Sequence, residues 1–564
     1  MDYQDAWRTQ ARYTVFDTAY GDGAAFRVLA DVWRTDPHRS PHLHLIAVCA
    51  EPEPDCLLPG FHRIPQAEPG ITLDLISAPL VPALGQLAAR VDLFRLHGLE
   101  DEGTDFARAL ARVAAPQARL LGQGLTPEQV AALEAQGFVF EHCADPDKQK
   151  ARFASRKPAP KLPPAPERRA IVLGAGIAGS AACERLCARG WEVTLVERHE
   201  RPAMEASGNR AGIFMPLVSR DDNIPTRLTR AAYLYALRHW ERLGGIGPGR
   251  AIEGQACGVL QLARDADHAG VQRAIAADGA LPADFAEWLE PSQAEAIVKL
   301  PAPDGGWLFR QGGWARPGSV CEAMLAACGG RLQQRFGVGN VRIAYEDGHW
   351  LVHDQHGTLV ACAPNLILAN GAGAMQLPHA APLPLTAMRG QVSHLPAEML
   401  PALPVVLCRE AYLTPPSHGV VSAGATYDVD DNPELSPASH EENLQRLRGL
   451  LSDPQAAQGA PLEGRVGFRC IAPDRLPLVG RLPDFAAAGT TERLRDVPRH
   501  PGLYALLGYA SRGLIWAGWA AELLAAQLEG EPLPLESALV DALDPARFVL
   551  RARRNGRGPQ AADA

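Results

Sequence analysis

The chain has 564 residues, 47% of them apolar and 21% charged, with a net charge of −9; this excludes a disordered chain or a small stapled domain and fits two or three domains, each with its own core. No run of eighteen apolar residues occurs and the start MDYQDAWRTQ has no charged-then-apolar pattern, so neither a spanning helix nor a secretory signal is expected and the location is expected to be cytoplasmic. Eleven cysteines without a C-x-x-C pair argue against a zinc ribbon or a disulfide framework, and no metal site is expected.

The first lobe, expected at 1–155, opens on FDTAYGDGAAF (Phe16–Phe26), where an apolar run meets an acid, two glycines and small residues. A strand passing through a tight loop into a helix around a nucleotide has this composition. LHLIAVC (Leu43–Cys49), ITLDLI (Ile71–Ile76), VDLFRL (Val91–Leu96) and ARLLGQG (Ala118–Gly124) follow as predicted strands. DFARALARVA (Asp105–Ala114) and TPEQVAALEAQG (Thr126–Gly137) are predicted helices, the second with a Thr N-cap and a Gly stop. Strands alternating with helices imply a doubly wound parallel sheet.

KPAPKLPPAP (Lys157–Pro166) holds five prolines and sets a semi-rigid linker at 156–167. Around it, from Lys148 to Arg169, stand eight Lys/Arg and one Glu, and the tail Arg547–Arg557 carries five Arg and no acid. Each stretch is either solvated chain or the local basic surface that a protein of negative net charge needs to meet nucleic acid.

The second lobe, 168–564, begins with IVLGAGIAGSAACERL. Gly174, Gly176 and Gly179 form G-x-G-x-x-G between a strand (Ile171–Leu173) and a helix (Ala178–Arg189). A second strand, WEVTLVE, ends on Glu197, eighteen residues after Gly179. This is the full dinucleotide fingerprint: a tight turn, a close approach for pyrophosphate, a close helix–strand contact and an acid for the ribose. The fingerprint alone does not choose between NAD and FAD. EASGNRAG (Glu205–Gly212) and a late glycine loop running into a helix, GYASRGLIWAGWAAELLAAQL (Gly508–Leu528), favour FAD, whose isoalloxazine lies far from the first loop.

This layout resembles the D-amino-acid oxidase and glycine oxidase superfamily of flavoproteins. More closely, ASGNRAG, MRGQVSHLP (Met388–Pro396), LCREAYLTP (Leu407–Pro415), GRVGFRCIAPDRLPLVG (Gly464–Gly480) and GYASRGL resemble the bifunctional tRNA 5-methylaminomethyl-2-thiouridine biosynthesis family. The resemblance implies a methyltransferase-type Rossmann-like lobe, then an FAD-binding Rossmann domain interleaved with an antiparallel-sheet substrate domain. It implies tRNA as partner and FAD-dependent removal of the carboxymethyl group from 5-carboxymethylaminomethyluridine at the wobble position. FAD would be held by Gly174, Gly176, Gly179, Glu197, Ser207, Gly208, Asn209, Gly508, Ser511 and Gly513. Arg469 stands where glycine-oxidase relatives place the carboxylate anchor; Arg512 is a second contact and Tyr412 a pocket wall or hydrogen-bond donor. The substrate arm is an N-substituted glycine, and the planar guanidinium fork suits its carboxylate.

The resemblance reaches the first lobe with changes. Asp17, Gly21 and Gly23 match the family's S-adenosylmethionine loop, while Asp22 and Ala24 replace a threonine-like and a glycine position. Cys49 stands in place of the acid that holds the ligand ribose, and His97 in place of an acid at the amine, although Asp92 is kept. A degenerate S-adenosylmethionine site is therefore expected. Three alternatives stay open: a bifunctional enzyme that also methylates the amine, an FAD oxidase of a free small N-substituted glycine, and a first lobe that is a non-catalytic tRNA-binding or scaffolding module.

Overall fold

In the computed structural model, which describes residues 7–554 apart from 9, 50–57, 67, 69, 100–101, 143–144, 146, 155–166, 279–280 and 490, the chain divides into two compact units. The first is Met1–Pro166 with Ala526–Val540; the second is Glu167–Ala525 with Asp541–Ala564. The Pro-rich linker, but for residue 167, lies outside the described residues.

Unit 1 is built on strands β1 (Arg12–Asp17), β2 (His42–Val48), β3 (Gly60–Pro65), β4 (Ile71–Ser77), β5 (Val91–Leu96), β6 (Ala114–Gln123), β7 (Phe138–Glu141) and β8 (Lys148–Phe153). Their order in the sheet is β3-β4-β2-β1-β5-β6-β8-β7. The middle five are parallel; β3 at one edge, and β8 and β7 at the other, pair antiparallel. Both faces are covered by apolar side chains, and successive residues of β1 serve opposite faces: Val15 enters one cluster and Phe16 the other. The helix Pro127–Gln136 starts at a Thr126–Gln129 capping box and stops at Gly137, as its sequence predicts.

Three strands escape the sequence reading: β3, β7 and β8. β8 takes up the first part of the basic stretch, which is therefore not linker there. Lys148, Lys150 and Arg152 alternate outward while Ala151 and Phe153 point in.

The return of Ala526–Val540 to unit 1 is also not visible in the sequence. Arg63, Asp74 and His44 form a buried cluster beneath it. Arg63 Nε donates to Asp74 Oδ1 at 2.8 Å, its Nη2 donates to Asp74 Oδ2 at 2.7 Å, and His44 Nε2 meets Asp74 Oδ2 at 2.7 Å. The same Nη2 donates to the Pro532 carbonyl at 2.7 Å, and Glu531 lies 4.0 Å from Nη1. Leu533 N–H donates to Ala88 O at 3.0 Å, which fixes the segment to the loop before β5.

Unit 2 contains two main sheets. The first has β9 (Arg169–Leu173), β10 (Glu192–Val196), β11 (Leu332–Arg335), β12 (Asn365–Leu368), β13 (Leu478–Pro483) and β14 (Arg499–Leu507), in the order β11-β10-β9-β12-β14-β13. All pairs are parallel except β14 with β13. The second sheet has eight strands and is antiparallel save where Val259–Leu262 meets Val406–Cys408. Thr386–Pro396, Tyr412–Leu413 and Gly464–Ile471 belong to it.

Three arginines of the basic tail are engaged within unit 2. In the helix Arg547–Arg554, Arg547 Nε donates to Asp474 at 2.9 Å, Arg551 pairs with the same carboxylate, and Arg553 donates to the carbonyls of Ala488 and Thr491. Arg557 lies outside the described residues.

Candidate active site

β9 delivers the glycine loop. Gly174 has φ 101°, and a Cβ there would lie 2.7 Å from Asn370 Cα, so only glycine fits the turn. Gly179 packs against the loop with no room for a side chain, a Cβ falling 1.8 Å from Gly174 O. Gly176 opens the helix Ile177–Cys187, whose first free N–H, of Ile177, donates to Ser207 Oγ at 3.0 Å. Glu197, buried at the end of β10, accepts from Ala175 N–H at 2.6 Å and His199 N–H at 3.0 Å. Gly174, Gly176, Glu197, Ser207 and Asn209 share one cavity of about 770 Å³ with Gly508, Ser511 and Gly513 of the late loop.

Gly179 and Gly208 do not line this cavity. Gly208 instead lies under Arg465: a Cβ would sit 2.5 Å from its Nη2. That guanidinium donates to the Met204 carbonyl at 2.7 Å and to Asn209 Oδ1 at 3.4 Å, pinning the segment that carries Ser207. Burial pushes the Arg465 pKa down. Gly208, read from the sequence as cofactor-binding, thus packs under the guanidinium that holds this segment.

These residues fit an FAD. The helix N-terminus and Ser207 suit pyrophosphate, Glu197 suits a ribose, and two cavity-lining residues have buried polar atoms without a partner among the described residues, Asn370 Oδ1 and Tyr509 Oη. Orphaned buried polar groups facing a cavity are what a polar ligand satisfies.

Arg469, Arg512 and Tyr412 line the same cavity. Arg469 pairs with Met388 across the sheet, and its guanidinium reaches diagonally over Gly390, where a Cβ would lie 2.0 Å from Nη1. Nη1 donates to Thr426 O at 3.0 Å, and the guanidinium carbon sits 4.3 Å from the Tyr427 ring centroid. No carboxylate among the described residues pairs with Arg469. Arg512 makes no side-chain hydrogen bond or ion pair among them either; burial presses its pKa down, against the influence of Tyr427 and Cys408. Burial also pushes the Tyr412 phenol up to about 12 despite Arg469 nearby, so it is a neutral donor at physiological pH. Two guanidinium groups that no acid among the described residues pairs with have the chemistry to seat a carboxylate. No group of His, Cys, Asp or Glu among the described residues is arranged to hold a metal.

Sequence reasoning missed Gly390, Tyr427, Asn370 and Tyr509. Asn370 had a signal: NLILANGAG is a further strand-to-glycine turn. Gly390 stood inside a motif, but its use depends on cross-strand register.

In unit 1, chain order in the sheet reverses between β1 and β5, the place where doubly wound sheets bind ligands at the strands' carboxyl ends. Gly21 (φ 56°) and Gly23 (φ 74°) still form the turn. Asp17, at the end of β1, is buried and already engaged. It takes His97 Nε2 at 2.6 Å, Arg95 Nη1 at 3.2 Å and Ala19 N–H at 3.1 Å. That contact to Asp17 raises the His97 pKa, against burial, and so favours the charged pair. Cys49 is buried in the apolar cluster at the end of β2. Asp92 is structural: it accepts from Thr14 N–H at 2.8 Å, and burial pushes its carboxyl up to about 6.

A family model described as FAD dependent oxidoreductase matches residues 169–527. Two relatives, each a tRNA 5-methylaminomethyl-2-thiouridine biosynthesis bifunctional protein MnmC, align over almost the whole chain. That of Azoarcus sp. (strain BH72) is 42% identical over 98% of this chain and 92% of its own. That of Burkholderia thailandensis is 39% identical over 99% and 93%. Among solved structures, iminodiacetate oxidase from Chelativorans sp. BNC1 matches 65% of this chain and 96% of its own at TM-score 0.52 and 23% identity. Glycine oxidase from Geobacillus kaustophilus matches 67% and 99% at TM-score 0.54 and 19% identity, and at such identities the likeness is one of fold.

Proposed function

The chain belongs to the tRNA 5-methylaminomethyl-2-thiouridine biosynthesis bifunctional family and carries its FAD dependent oxidoreductase domain, and from that footing we propose how its site works. Unit 2 removes the carboxymethyl group from 5-carboxymethylaminomethyl-(2-thio)uridine in tRNA, leaving the aminomethyl base. The observation that carries this is the pair Arg469 and Arg512, unpaired with any acid among the described residues, in the cavity that also holds the dinucleotide loop. FAD, when bound, supplies the two-electron acceptor for the methylene carbon beside the carboxylate. Arg469 seats that carboxylate with its planar fork, and Arg512 adds a second charge. Tyr412 stays protonated and donates a hydrogen bond. Positioning is the protein's main contribution, since no strong acid or base is required. Water releases the oxidised arm as glyoxylate and leaves the free amine on the base.

The purified protein is expected to be yellow, to shed its flavin on acid precipitation, and to release glyoxylate from tRNA bearing the carboxymethylated base. Flavin left on the pellet would mean a covalent link. Equal turnover of a free N-substituted glycine without tRNA would favour the small-molecule oxidase instead.

tRNA meets a protein of net charge −9 through local cations. Lys148, Lys150 and Arg152, exposed side by side on β8, supply one such group; Lys157 and Lys161 lie outside the described residues. No helix among the described residues is long and apolar enough to cross a membrane, and a cytoplasmic location follows from the tRNA substrate.

For unit 1 the proposal is a methyltransferase-type fold whose ligand crevice is filled by its own Asp17, His97 and Arg95. The relatives' bifunctional names favour a second reading, that unit 1 still methylates the amine. Isothermal calorimetry separates them: S-adenosylmethionine is expected to give no binding heat at micromolar concentration and no methylated nucleoside. Micromolar binding with methylated product would establish both activities.

A further inference from the structure

Tyr427 has no task in the reading above, yet its placement is specific. It lines the cavity and is still 51% exposed. One face of its ring is covered by Arg469, whose guanidinium carbon is 4.3 Å from the centroid. No other ring or cation among the described residues stacks on it. Two residues on, Val429 is 83% exposed. The rim beside Arg469 therefore presents a half-open aromatic face, on a loop that also exposes Asp430 and Asp431.

The proposed substrate joins a carboxylate to a pyrimidine by one short flexible arm. When the carboxylate sits on Arg469, the base must lie close to that guanidinium and to the ring stacked on it. A wobble base drawn out of the anticodon stack loses its neighbours, and aromatic side chains are the usual replacement. We infer that Tyr427 is the platform on which the wobble nucleobase stacks, so that its ring orders Arg469 on one face and reads the base on the other. The inference rests on the proposed function and adds what that reading lacks, a reason to prefer a base-borne N-substituted glycine over a free one.

The test uses the full-length flavin-loaded enzyme. Glyoxylate release from tRNA carrying 5-carboxymethylaminomethyluridine gives KM and kcat, and perturbation of the flavin spectrum by N-ethylglycine gives the affinity for a carboxylate without a base. Tyr427→Ala is expected to raise KM for the tRNA by roughly 5- to 150-fold, the span that base–aromatic stacking is worth. That loss should exceed the loss of N-ethylglycine affinity by at least about 5-fold, and Tyr427→Phe should restore the KM for tRNA. Equal losses for both ligands would reduce Tyr427 to a support for Arg469. A Phe variant as poor as Ala would shift the role to the hydroxyl, and an unchanged KM in the Ala variant would also overturn the inference. A wild-type enzyme releasing no glyoxylate from this tRNA would instead remove the functional reading itself.

Discussion

Replacing Arg469 with Lys is expected to lower kcat/KM for the carboxymethylated tRNA by roughly 10- to 100-fold, with FAD still bound. Lysine keeps the charge but loses the fork, and one well-placed charged hydrogen bond is worth on the order of 1.5–3 kcal/mol. The same loss should follow from Gly390→Ala, which leaves the arginine in place. A methyl group there would stand 2.0 Å from Nη1, so the guanidinium must swing away. Because the atom displaced is the end of a flexible side chain, the fold should survive. Steady-state glyoxylate release together with flavin content checks both variants. Unchanged efficiency in both would move the anchor to Arg512; a loss in Arg469→Lys alone would show that the guanidinium tolerates the methyl group.

Arg63→Ala is expected to destabilise unit 1 by about 3–5 kcal/mol, because it strands a buried Asp74 carboxylate. The neighbouring His44 has its pKa lowered by burial, and Asp74 is held below the usual carboxylate range by Arg63 and His44 against its own burial. Both shifts have the same sign for stability. His44 stabilises fully above its unfolded value near 6.5 and loses its contribution as pH falls toward the lower folded value; Asp74 follows at more acid pH. Thermal unfolding followed by intrinsic fluorescence, with flavin release as a separate report on unit 2, should show an early transition in the variant. Coincident, unshifted transitions would mean the cluster can relax around the loss.

The legible parts of this chain were those written locally. The strand–glycine–helix run from Ile171 to Glu197 states its own purpose, because turn, phosphate approach and ribose acid fall within one stretch. Arg469 could be picked out by its motif. What made Arg469 usable could not: Gly390 and Tyr427 lie on other strands and loops, and only register brings them together. The same limit applies in unit 1. Cys49 and His97 could be seen as substitutions, but that His97 and Arg95 would close on Asp17 follows from β1 and β5 being neighbours. β3 and β8 were missed because a short strand ending in proline and a lysine-rich alternation both look like loop when taken alone.

The buried Arg63 cluster has a consequence for how the protein comes into being. The carbonyl of Pro532 that it holds is synthesised long after the rest of unit 1. On the ribosome, residues up to 166 emerge before residues 167–525 of the flavin unit, and only then comes the segment 526–540 that completes the sheet's surroundings. Unit 1 in its finished form is thus a late product of translation, although its whole sheet precedes unit 2 in the chain. A fragment cut at the proline stretch would carry every strand of its sheet and still lack its final piece.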